Sequence, residues 1–445
     1  MSGLLVVDVG STFTKAALVT GVGGAAADVT ARAETPTTST HDVMTGVRTV
    51  AAALGTTFDV ASAIGCSSAG GGLRLAIVGY ERTVTAEAAY RVGLSAGAKV
   101  VHVAAGPLDP TLIASLVDDR PDIVLLVGGT DGGNAQVLLH NAAALARAGL
   151  PRRVPVVVAG NMEAQESAAG ILAAASVATI RADNVLPDIG IIAPESARAA
   201  LRRAFLTHVI GGKGLSQDPA FTQVVRMATP DAVLDGVRVV AEVAGQDVLV
   251  VDIGGATTDI YSSVAVEQDA PRREVVADLR HARTVEADLG MRWSAGSVVE
   301  AAVRERLPMS PELPAYAASL AERPAYLPES PAEHALDVEL ARLAATIAVR
   351  RHARPPHPGA AARKLTDVGL VLGSGGVLRH HPAADADAVL RAIVTDRAGG
   401  WPIPRAPHLA VDTAYLLVVV GLLASEHPAA AARVARRLVR AARGR

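Results

Sequence analysis

The first segment that could carry chemistry is LLVVDVGSTFTK, which begins at Leu4. It places Asp8 at the end of an apolar run, followed at once by a turn that contains Gly10, Ser11 and Thr12. Glycine lets the backbone approach a ligand closely, and backbone N–H groups together with hydroxyls can surround phosphate oxygens. We therefore predict a phosphate-binding hairpin. Lys15 either adds a positive charge to it or points to solvent, because side chains alternate along a strand.

A second segment, VLVVDIGGATTDI, repeats this pattern with Asp252 at the end of its apolar run. The residues of this copy expected to contact phosphate are Gly254, Gly255, Thr257 and Thr258. Asp259 either holds the loop or binds water on a metal. One such motif is as often an ordinary hairpin with an Asp-Gly turn, but the presence of two favours phosphate binding.

The two aspartates predict a cation. A carboxylate at the end of a buried strand is costly beside phosphate unless a hard ion lies between the two groups. We therefore assign Asp8 and Asp252 as the catalytic and Mg²⁺-binding residues, acting on the metal through water. The general base for attack by water stays open among Asp8, Asp252 and Glu286.

A third segment, VGLVLGSGGVLRHHP, follows another apolar run. Its residues Gly373, Ser374, Gly375 and Gly376 form a strand-to-helix turn. Such backbone can pack flat against adenosine and leave N–H groups free for phosphate. A glycine-rich turn alone is weak evidence, but its place downstream of the second hairpin supports an adenosine-binding role.

Short apolar runs bounded by Gly, Asp or Pro alternate with Ala-rich helical stretches along the chain. Runs of this kind predict strands buried on both faces in α/β units. We expect a first unit over residues 1–95, an inserted doubly wound subdomain over 96–195, a helical connection over 196–245 and a second unit over 246–404. The internal repeat predicts two domains of related topology that face each other.

Composition narrows the class of protein. The chain has 445 residues, of which 50% are hydrophobic and 3% aromatic, and its net charge is −2. It is too long for one ordinary core, and no global charge favours nucleic acid. Its one cysteine, Cys66, is expected to be a buried structural thiol. The start of the chain lacks the features of a leader, and the apolar stretch at 415–424 is too short to span a bilayer, so we expect no transmembrane segment and a cytoplasmic location.

The two hairpins and the later glycine-rich turn, in this order, resemble the actin, sugar-kinase and chaperone-ATPase superfamily. VDIGGATTDI, TVEADLGMR, LLVGGTDGGN and VLGSGGVLRHHP together resemble the accessory protein family of adenosylcobalamin-dependent glutamate mutase, called GlmL or MutL and unrelated to mismatch repair. This resemblance covers residues 4–424. It implies two actin-like (ribonuclease H-like) domains facing a nucleotide cleft, the first completed by helices at about 405–445. The segment 413–425 resembles the connecting helix of the superfamily.

The resemblance also implies a function. An accessory protein of this family binds ATP and Mg²⁺ and acts as a reactivating or assembly chaperone for the mutase subunits. The alternatives are a small-molecule kinase of the same superfamily and a nucleotide-binding scaffold without turnover. An iron–sulfur ATPase is excluded for this chain alone because its cluster needs several cysteines. Homodimerisation is left open.

Three further features are expected to be structural rather than functional. Thr130–Asn134 and Asn161 follow apolar runs in the insert, and an αβ turn with a helix cap is favoured over a ligand-binding surface. The adjacent pair His380 and His381 is expected to be a helix-cap or surface pair rather than a shared metal site. The tail RVARRLVRAARGR is expected to be a helix that docks its apolar stripe, and this is favoured over a surface for an acidic partner or a membrane.

Overall fold

The structure is a computed structural model that describes residues 3–23, 26–38, 41–151, 153–265, 279–355 and 361–443. The chain forms two compact units. The first holds most of the chain up to Asp235 together with Val418–Arg433, and the second is built mainly from residues 236–417.

The first unit contains a mixed five-stranded sheet. Its strands are β1 (Leu4–Val9), β2 (Phe13–Thr20), β3 (Asp28–Pro36), β4 (Ala63–Ser67) and β10 (Val225–Ala228). Their order is β10-β4-β1-β2-β3. The strand β2 is antiparallel to both β1 and β3. On the other side of β1, β4 and β10 run parallel to it. The central strand β1 therefore carries Asp8 near its end and leads into the first hairpin turn.

The second unit repeats this sheet. Its strands are β11 (Val248–Ile253), β12 (Thr258–Ser263), β13 (His281–Glu286), β14 (Leu370–Ser374) and β15 (His408–Val411), in the order β13-β12-β11-β14-β15. Again an antiparallel series lies on one side of the central strand and parallel strands on the other. The related topology predicted from the sequence repeat is confirmed, and the fold class is α/β with two actin-like domains.

The first unit also carries a third sheet, whose five strands are all parallel. They are β5 (Leu73–Gly79), β6 (Ala98–Ala105), β7 (Ile123–Leu126), β8 (Val156–Val158) and β9 (Thr179–Arg181), in the order β6-β5-β7-β8-β9. This is the doubly wound subdomain expected in the sequence. Its first strand begins at Leu73, so the sheet includes chain that was expected to belong with the first unit's own sheet. Similarly, β10 lies within the stretch expected to be a helical connection.

Helices make up most of the remaining regular structure in the described chain. In the first unit's part of the sequence they are α1 (Val43–Ala53), α2 (Thr85–Ser95), α3 (Pro110–Asp118), α4 (Gln136–Arg147), α5 (Met162–Ala174), α6 (Pro194–Ala204) and α7 (Pro219–Val224). They are followed by α8 (Thr229–Ala244), α9 (Ala295–Arg304), α10 (Leu313–Glu322), α11 (Pro331–Ala353), α12 (Gly376–His380), α13 (Ala383–Thr395), α14 (Leu416–Glu426) and α15 (Pro428–Arg443). Among the described residues, none of these helices combines the length and apolarity that crossing a bilayer requires.

The apolar runs form strands because both of their faces are buried. In the inserted sheet, Leu75 and Ile77 join one core, while Ala76 and Val78 join a second core on the opposite face. Successive side chains of a strand point to opposite faces, so a strand between two helical layers needs apolar residues at every position. This explains why the runs read as continuous rather than alternating.

The C-terminal helix α15 buries its apolar stripe. Val434, Leu438 and Ala442 are all buried, at 2%, 5% and 5% exposure, while arginines occupy the positions between them. A period of four residues places these side chains on one face of a helix. The tail is thus a packed helix, as the sequence indicated.

Candidate functional site

The first hairpin is a tight turn between β1 and β2. The backbone N–H of Gly10 donates to the carbonyl oxygen of Phe13 at 3.0 Å, and this bond closes the turn. A Cβ on Gly10 would lie 2.6 Å from that oxygen, so the position accepts no larger residue without rearrangement. Ser11 and Thr12 lie at the tip and are exposed. The turn therefore presents backbone and hydroxyl groups to solvent, as a phosphate-binding loop requires.

Asp8, at the end of β1, is enclosed by polar groups from the neighbouring strand β4 and from the start of α8. Its exposed fraction is 4%, and its Oδ1 accepts hydrogen bonds from the Thr229 hydroxyl at 2.5 Å and the Cys66 thiol at 3.3 Å. Lys15 is its direct partner across the antiparallel pair and so lies on the same face of the sheet as Asp8. The contribution of Lys15 to phosphate binding stays a prediction.

Cys66 is a buried structural thiol, as expected. Burial raises the pKa of the Cys66 thiol well above its usual value, and the charge of Asp8 acts in the same direction. The thiol therefore stays protonated and can donate to the carboxylate. It is a support for Asp8 rather than a nucleophile.

Sequence reasoning missed the neighbours of Asp8. Thr229 begins α8 directly after β10, and Cys66 pairs with Asp8 in the parallel register of β1 and β4. The segment after β4 reads SSAGGG over residues 67–72, a glycine-rich turn like the one at 373–376. This turn in the first unit is the signal that could have located β4 beside β1.

The second hairpin has the same geometry as the first. The N–H of Gly254 donates to the carbonyl oxygen of Thr257 at 2.9 Å, which repeats the bond between Gly10 and Phe13. The Thr257 hydroxyl donates to Asp259 at 3.1 Å, and the Arg283 guanidinium holds the same carboxylate at 2.9 and 2.6 Å. Of the two roles considered for Asp259, this geometry fits that of holding the loop.

Thr258 is engaged inside the protein. Its side chain is fully buried and its hydroxyl donates to the carbonyl oxygen of Leu289. This bond ties the second hairpin to the segment 284–292 and leaves the hydroxyl turned away from solvent. Gly255 is tied to the same segment, because its carbonyl oxygen accepts from the N–H of Arg292 at 2.8 Å.

The glycine-rich turn lies beside the second acid. Ser374 pairs with Asp252 in the parallel register of β11 and β14, so both strands end at the same edge of the sheet. Gly375 has φ 94°, and a Cβ there would lie 2.1 Å from the carbonyl oxygen of Ile253. Only glycine fits this backbone and this approach. The second unit therefore brings its hairpin, its acid and its glycine-rich turn into one place.

Glu286, which was considered as a general base, is ion-paired. Its Oε2 accepts from Arg351 at 2.7 Å, and Arg351 also binds Asp288 at 2.6 Å. Burial raises the pKa of Glu286 against the opposing effect of Arg351. A raised pKa suits a proton acceptor, but the tight pair with Arg351 would have to open before the carboxylate could reach water.

The polar loops of the inserted sheet bind one another. Asp131 accepts from the N–H of Met162 and from the Asn184 side chain, at 3.0 and 2.9 Å. Asn134 accepts from the N–H of Gln136 at the start of α4, and Asn161 accepts from the N–H of Glu163 at the start of α5. These contacts are those of helix caps and loop packing, which the sequence favoured.

The donors at both hairpins suit a hard cation. Carboxylate and hydroxyl oxygens are the ligands that Mg²⁺ prefers, and it commonly keeps several waters. The first hairpin supplies Asp8 at its base and two hydroxyls at its tip, and the second supplies Asp252 at its base and the hydroxyl of Thr257. Two sheets of one topology, each ending at such a hairpin, define an actin-like α/β protein with duplicated candidate phosphate loops. That the two hairpins face one cleft stays a prediction.

Comparison with known proteins gives the family. The family model described as MutL protein matches residues 4–439. A curated relative named Protein MutL, from Clostridium tetanomorphum, is 33% identical over 461 residues, which is 98% of either chain. The chain therefore belongs to the MutL protein family, and the resemblance found in its motifs is confirmed.

Solved structures give weaker likenesses. An ATP-dependent caprolactamase from Pseudomonas jessenii is 16% identical with a TM-score of 0.35, covering 86% of this chain and 67% of that one. An ROK hexokinase from Thermus thermophilus is 11% identical with a TM-score of 0.25, covering 98% and 99%. These TM-scores are too low for the overlap to carry any conclusion about this chain.

Proposed function

We propose that this chain binds Mg²⁺ and ATP at its two hairpins, hydrolyses the nucleotide, and acts as an accessory chaperone of an adenosylcobalamin-dependent mutase. The observation that carries the proposal is the duplication of the sheet, its aspartate and its hairpin turn. Each of two sheets with one strand order ends its central strand in an aspartate and a tight turn of matching hydrogen bonding. Two unrelated hairpins are not expected to share the strand order, the aspartate and the hydrogen bond of the turn.

The proposal gives each group a role. Asp8 and Asp252 hold Mg²⁺ through water, and the ion, when bound, neutralises charge on the phosphates. The groups around the phosphates are Gly10, Ser11, Thr12, Lys15, Gly254, Gly255 and Thr257. The turn at Gly373–Gly376 lies against adenosine. Thr258 supports the second hairpin through its bond to Leu289.

The chaperone role requires that the nucleotide changes the affinity for a partner. A ligand shifts a conformational equilibrium only through different affinity for the two states. ATP must therefore favour one arrangement of the protein and the mutase another, and each ligand changes the affinity for the other by the same factor. The partner is proposed from the resemblance of the motifs to glutamate mutase accessory proteins and from the family membership of this chain.

The nucleotide site is tested by Asp252→Asn and Asp8→Asn, each compared with Asp367→Asn. The side chain of Asp367 lies in the second unit and is 71% exposed, so its variant controls for loss of one negative charge. We expect each of the first two variants to weaken Mg·ATP binding roughly tenfold or more in calorimetry, equivalent to about 1.4 kcal/mol. Phosphate release should fall with them. Unchanged affinity in Asp252→Asn would refute the assignment.

The partner is tested by co-purification with an adenosylcobalamin-dependent mutase in the presence of ATP, ADP or no nucleotide. The proposal expects association that differs between these states. Phosphate release stimulated by the mutase supports a chaperone, whereas release stimulated by a metabolite, with a phosphorylated product, supports a kinase. Nucleotide binding with almost no phosphate release supports a scaffold. Failure to associate in every state contradicts the partner.

A further inference from the structure

Two histidines and an aspartate from three different elements meet in the second unit. His334 lies in the first turn of α11, His381 directly follows α12, and Asp385 lies in the first turn of α13. The Nε2 of His334 lies 2.8 Å from a carboxylate oxygen of Asp385, and the two imidazole rings stack with centroids 4.3 Å apart. One ligand atom from each residue lies within 4.8 Å of the other two.

His381 is held by a carboxylate and keeps one ring nitrogen unused. Its Nε2 lies 3.4 Å from Asp337, whose exposed fraction is 1%. Asp337 is itself fixed by Arg292 at 2.9 Å and by the Tyr316 hydroxyl at 3.2 Å. The Nδ1 of His381 is buried and has no hydrogen-bond partner in the described part of the chain. A histidine that binds a metal commonly has this arrangement, with the second ring nitrogen donating to a carboxylate.

The ordinary explanation for this cluster is a hydrogen bond between His334 and Asp385 with a stacked neighbour. That explanation accounts for His334 but leaves the buried nitrogen of His381 unsatisfied. A buried polar atom without a partner destabilises the folded protein. An ion bound through the Nδ1 of His381 would satisfy this nitrogen and could use His334 and Asp385 as further ligands.

We propose that His334, His381 and Asp385 bind one divalent transition-metal ion of the zinc type. Two imidazole nitrogens and one carboxylate oxygen are a ligand set that suits Zn²⁺, with water in the fourth position. The side chains of His334 and Asp385 are 34% and 33% exposed, so water can reach the ion. Ligands of a tetrahedral zinc ion lie about 3.3 Å apart, so small side-chain rotations suffice to close the set.

This site is chemically distinct from the proposed Mg²⁺ site. Magnesium prefers oxygen ligands, whereas imidazole nitrogen favours zinc and its neighbours in the first transition row. The ion would join α11, α12 and α13 into one cluster. The cluster adjoins the proposed nucleotide site in two ways. The helix α12 begins at Gly376 of the glycine-rich turn, and Asp337 binds Arg292, whose backbone N–H donates to Gly255 of the second hairpin.

The test is titration of the full-length, metal-stripped chain with Zn²⁺ in excess Mg²⁺ and without nucleotide. We expect one tightly bound equivalent, and with Co²⁺ in its place the visible absorption of a site with nitrogen ligands. His334→Ala and His381→Ala should each weaken binding at least a hundredfold, and Asp337→Asn, which removes only the positioning carboxylate, roughly ten- to a hundredfold. His380→Ala is the matched control, because this neighbouring histidine is exposed and lies outside the cluster.

Each outcome decides the question. Absence of a bound equivalent in the unaltered chain would show that the cluster is an ordinary ion pair, as would equal losses in His380→Ala and His334→Ala. Thermal unfolding of each variant separates lost binding from lost folding. If His381→Ala does not fold, His334→Ala carries the test alone, because its side chain is a third exposed. Loss of zinc with ATP binding intact, or the reverse, separates this site from the nucleotide site.

Discussion

At the scale of single residues, the two acids at the proposed nucleotide site have different surroundings. Asp8 is almost fully buried and accepts from Thr229 and Cys66. Asp252 is only partly buried and pairs with Ser374 across the strands. A carboxylate that accepts from two donors is fixed in place. We infer that Asp8 serves mainly to position the metal and its water, and that the partly exposed carboxylate of Asp252 meets the ligand.

A buried histidine makes the stability of the second unit depend on pH. His352 bonds Ser262 through Nε2 and Thr284 through Nδ1, at 2.8 and 3.0 Å. Burial lowers the pKa of His352 well below its usual value of 6.5, and the charge of Arg363 acts in the same direction. The unfolded chain therefore takes up a proton below about pH 6.5 that the folded chain does not.

We accordingly predict that His352→Gln makes stability less dependent on pH. The contribution of the neutral ring is complete above pH 6.5 and is lost as the pH falls toward its lowered pKa, by up to about 1.4 kcal/mol per pH unit. Denaturant unfolding between pH 7.5 and 5 measures this slope. The exposed His41→Gln should keep the slope of the unaltered protein. A slope that is equal in His352→Gln and the unaltered protein would contradict the assignment.

At the scale of elements, the glycine-rich turn contains a matched pair of positions. Gly375 has positive φ and approaches the Ile253 carbonyl, whereas a Cβ on Gly376, the first residue of α12, would meet no atom within 4 Å. We predict that Gly375→Ala costs roughly 1–3 kcal/mol and weakens ATP binding, because the backbone must shift. Gly376→Ala should be neutral or slightly stabilising. Thermal unfolding and ATP titration check both variants, and equal effects would contradict this account.

The order of apolar residues, aspartate and glycine within short segments predicted the strands and turns that carry the proposed site. The apolar runs before Asp8 and Asp252 form central strands, because a short unbroken apolar run that ends at a glycine-containing turn suits a strand buried on both faces. Local pattern did not predict which distant segments lie beside them. Thr229 is 221 residues from Asp8, and only the pairing of β4 with β1 and β10 brings the two together.

The histidines also show that short sequence segments do not reveal contacts between distant residues. The adjacent residues His380 and His381 lie at the end of α12, the helix-end position that the sequence predicts. The informative partner of His381 is His334, which lies 47 positions earlier in the chain on another helix. No local spacing rule connects the two, because helix packing sets their distance.

At the scale of the whole molecule, the repeated sheet predicts how ATP acts on stability. If one nucleotide contacts both hairpins, Mg·ATP stabilises the folded chain by about 2.7 kcal/mol at a hundred times its Kd. We expect the rise in Tm to disappear in Asp8→Asn and also in Asp252→Asn. Thermal unfolding with Mg²⁺ alone and with Mg·ATP measures this.

The two variants also distinguish one shared site from a site in one unit. A nucleotide held by the second unit alone would still protect Asp8→Asn fully. Asp367→Asn should keep the whole rise in Tm, because its carboxylate is exposed and precedes β14, whose opposite end lies beside the second hairpin. Protection of both hairpin variants would contradict the prediction that the repeats face one ligand.

The bond between Cys66 and Asp8 gives this protein an intrinsic chemical reporter. The chain has one cysteine, so a thiol-reactive label modifies a single known position without any engineering. That thiol is shielded while β4 remains packed against β1, and it becomes reactive only when this strand end opens. The rate of labelling therefore measures how often the paired ends of β1 and β4 separate below the first hairpin. It can be measured in any nucleotide state and in unaltered protein.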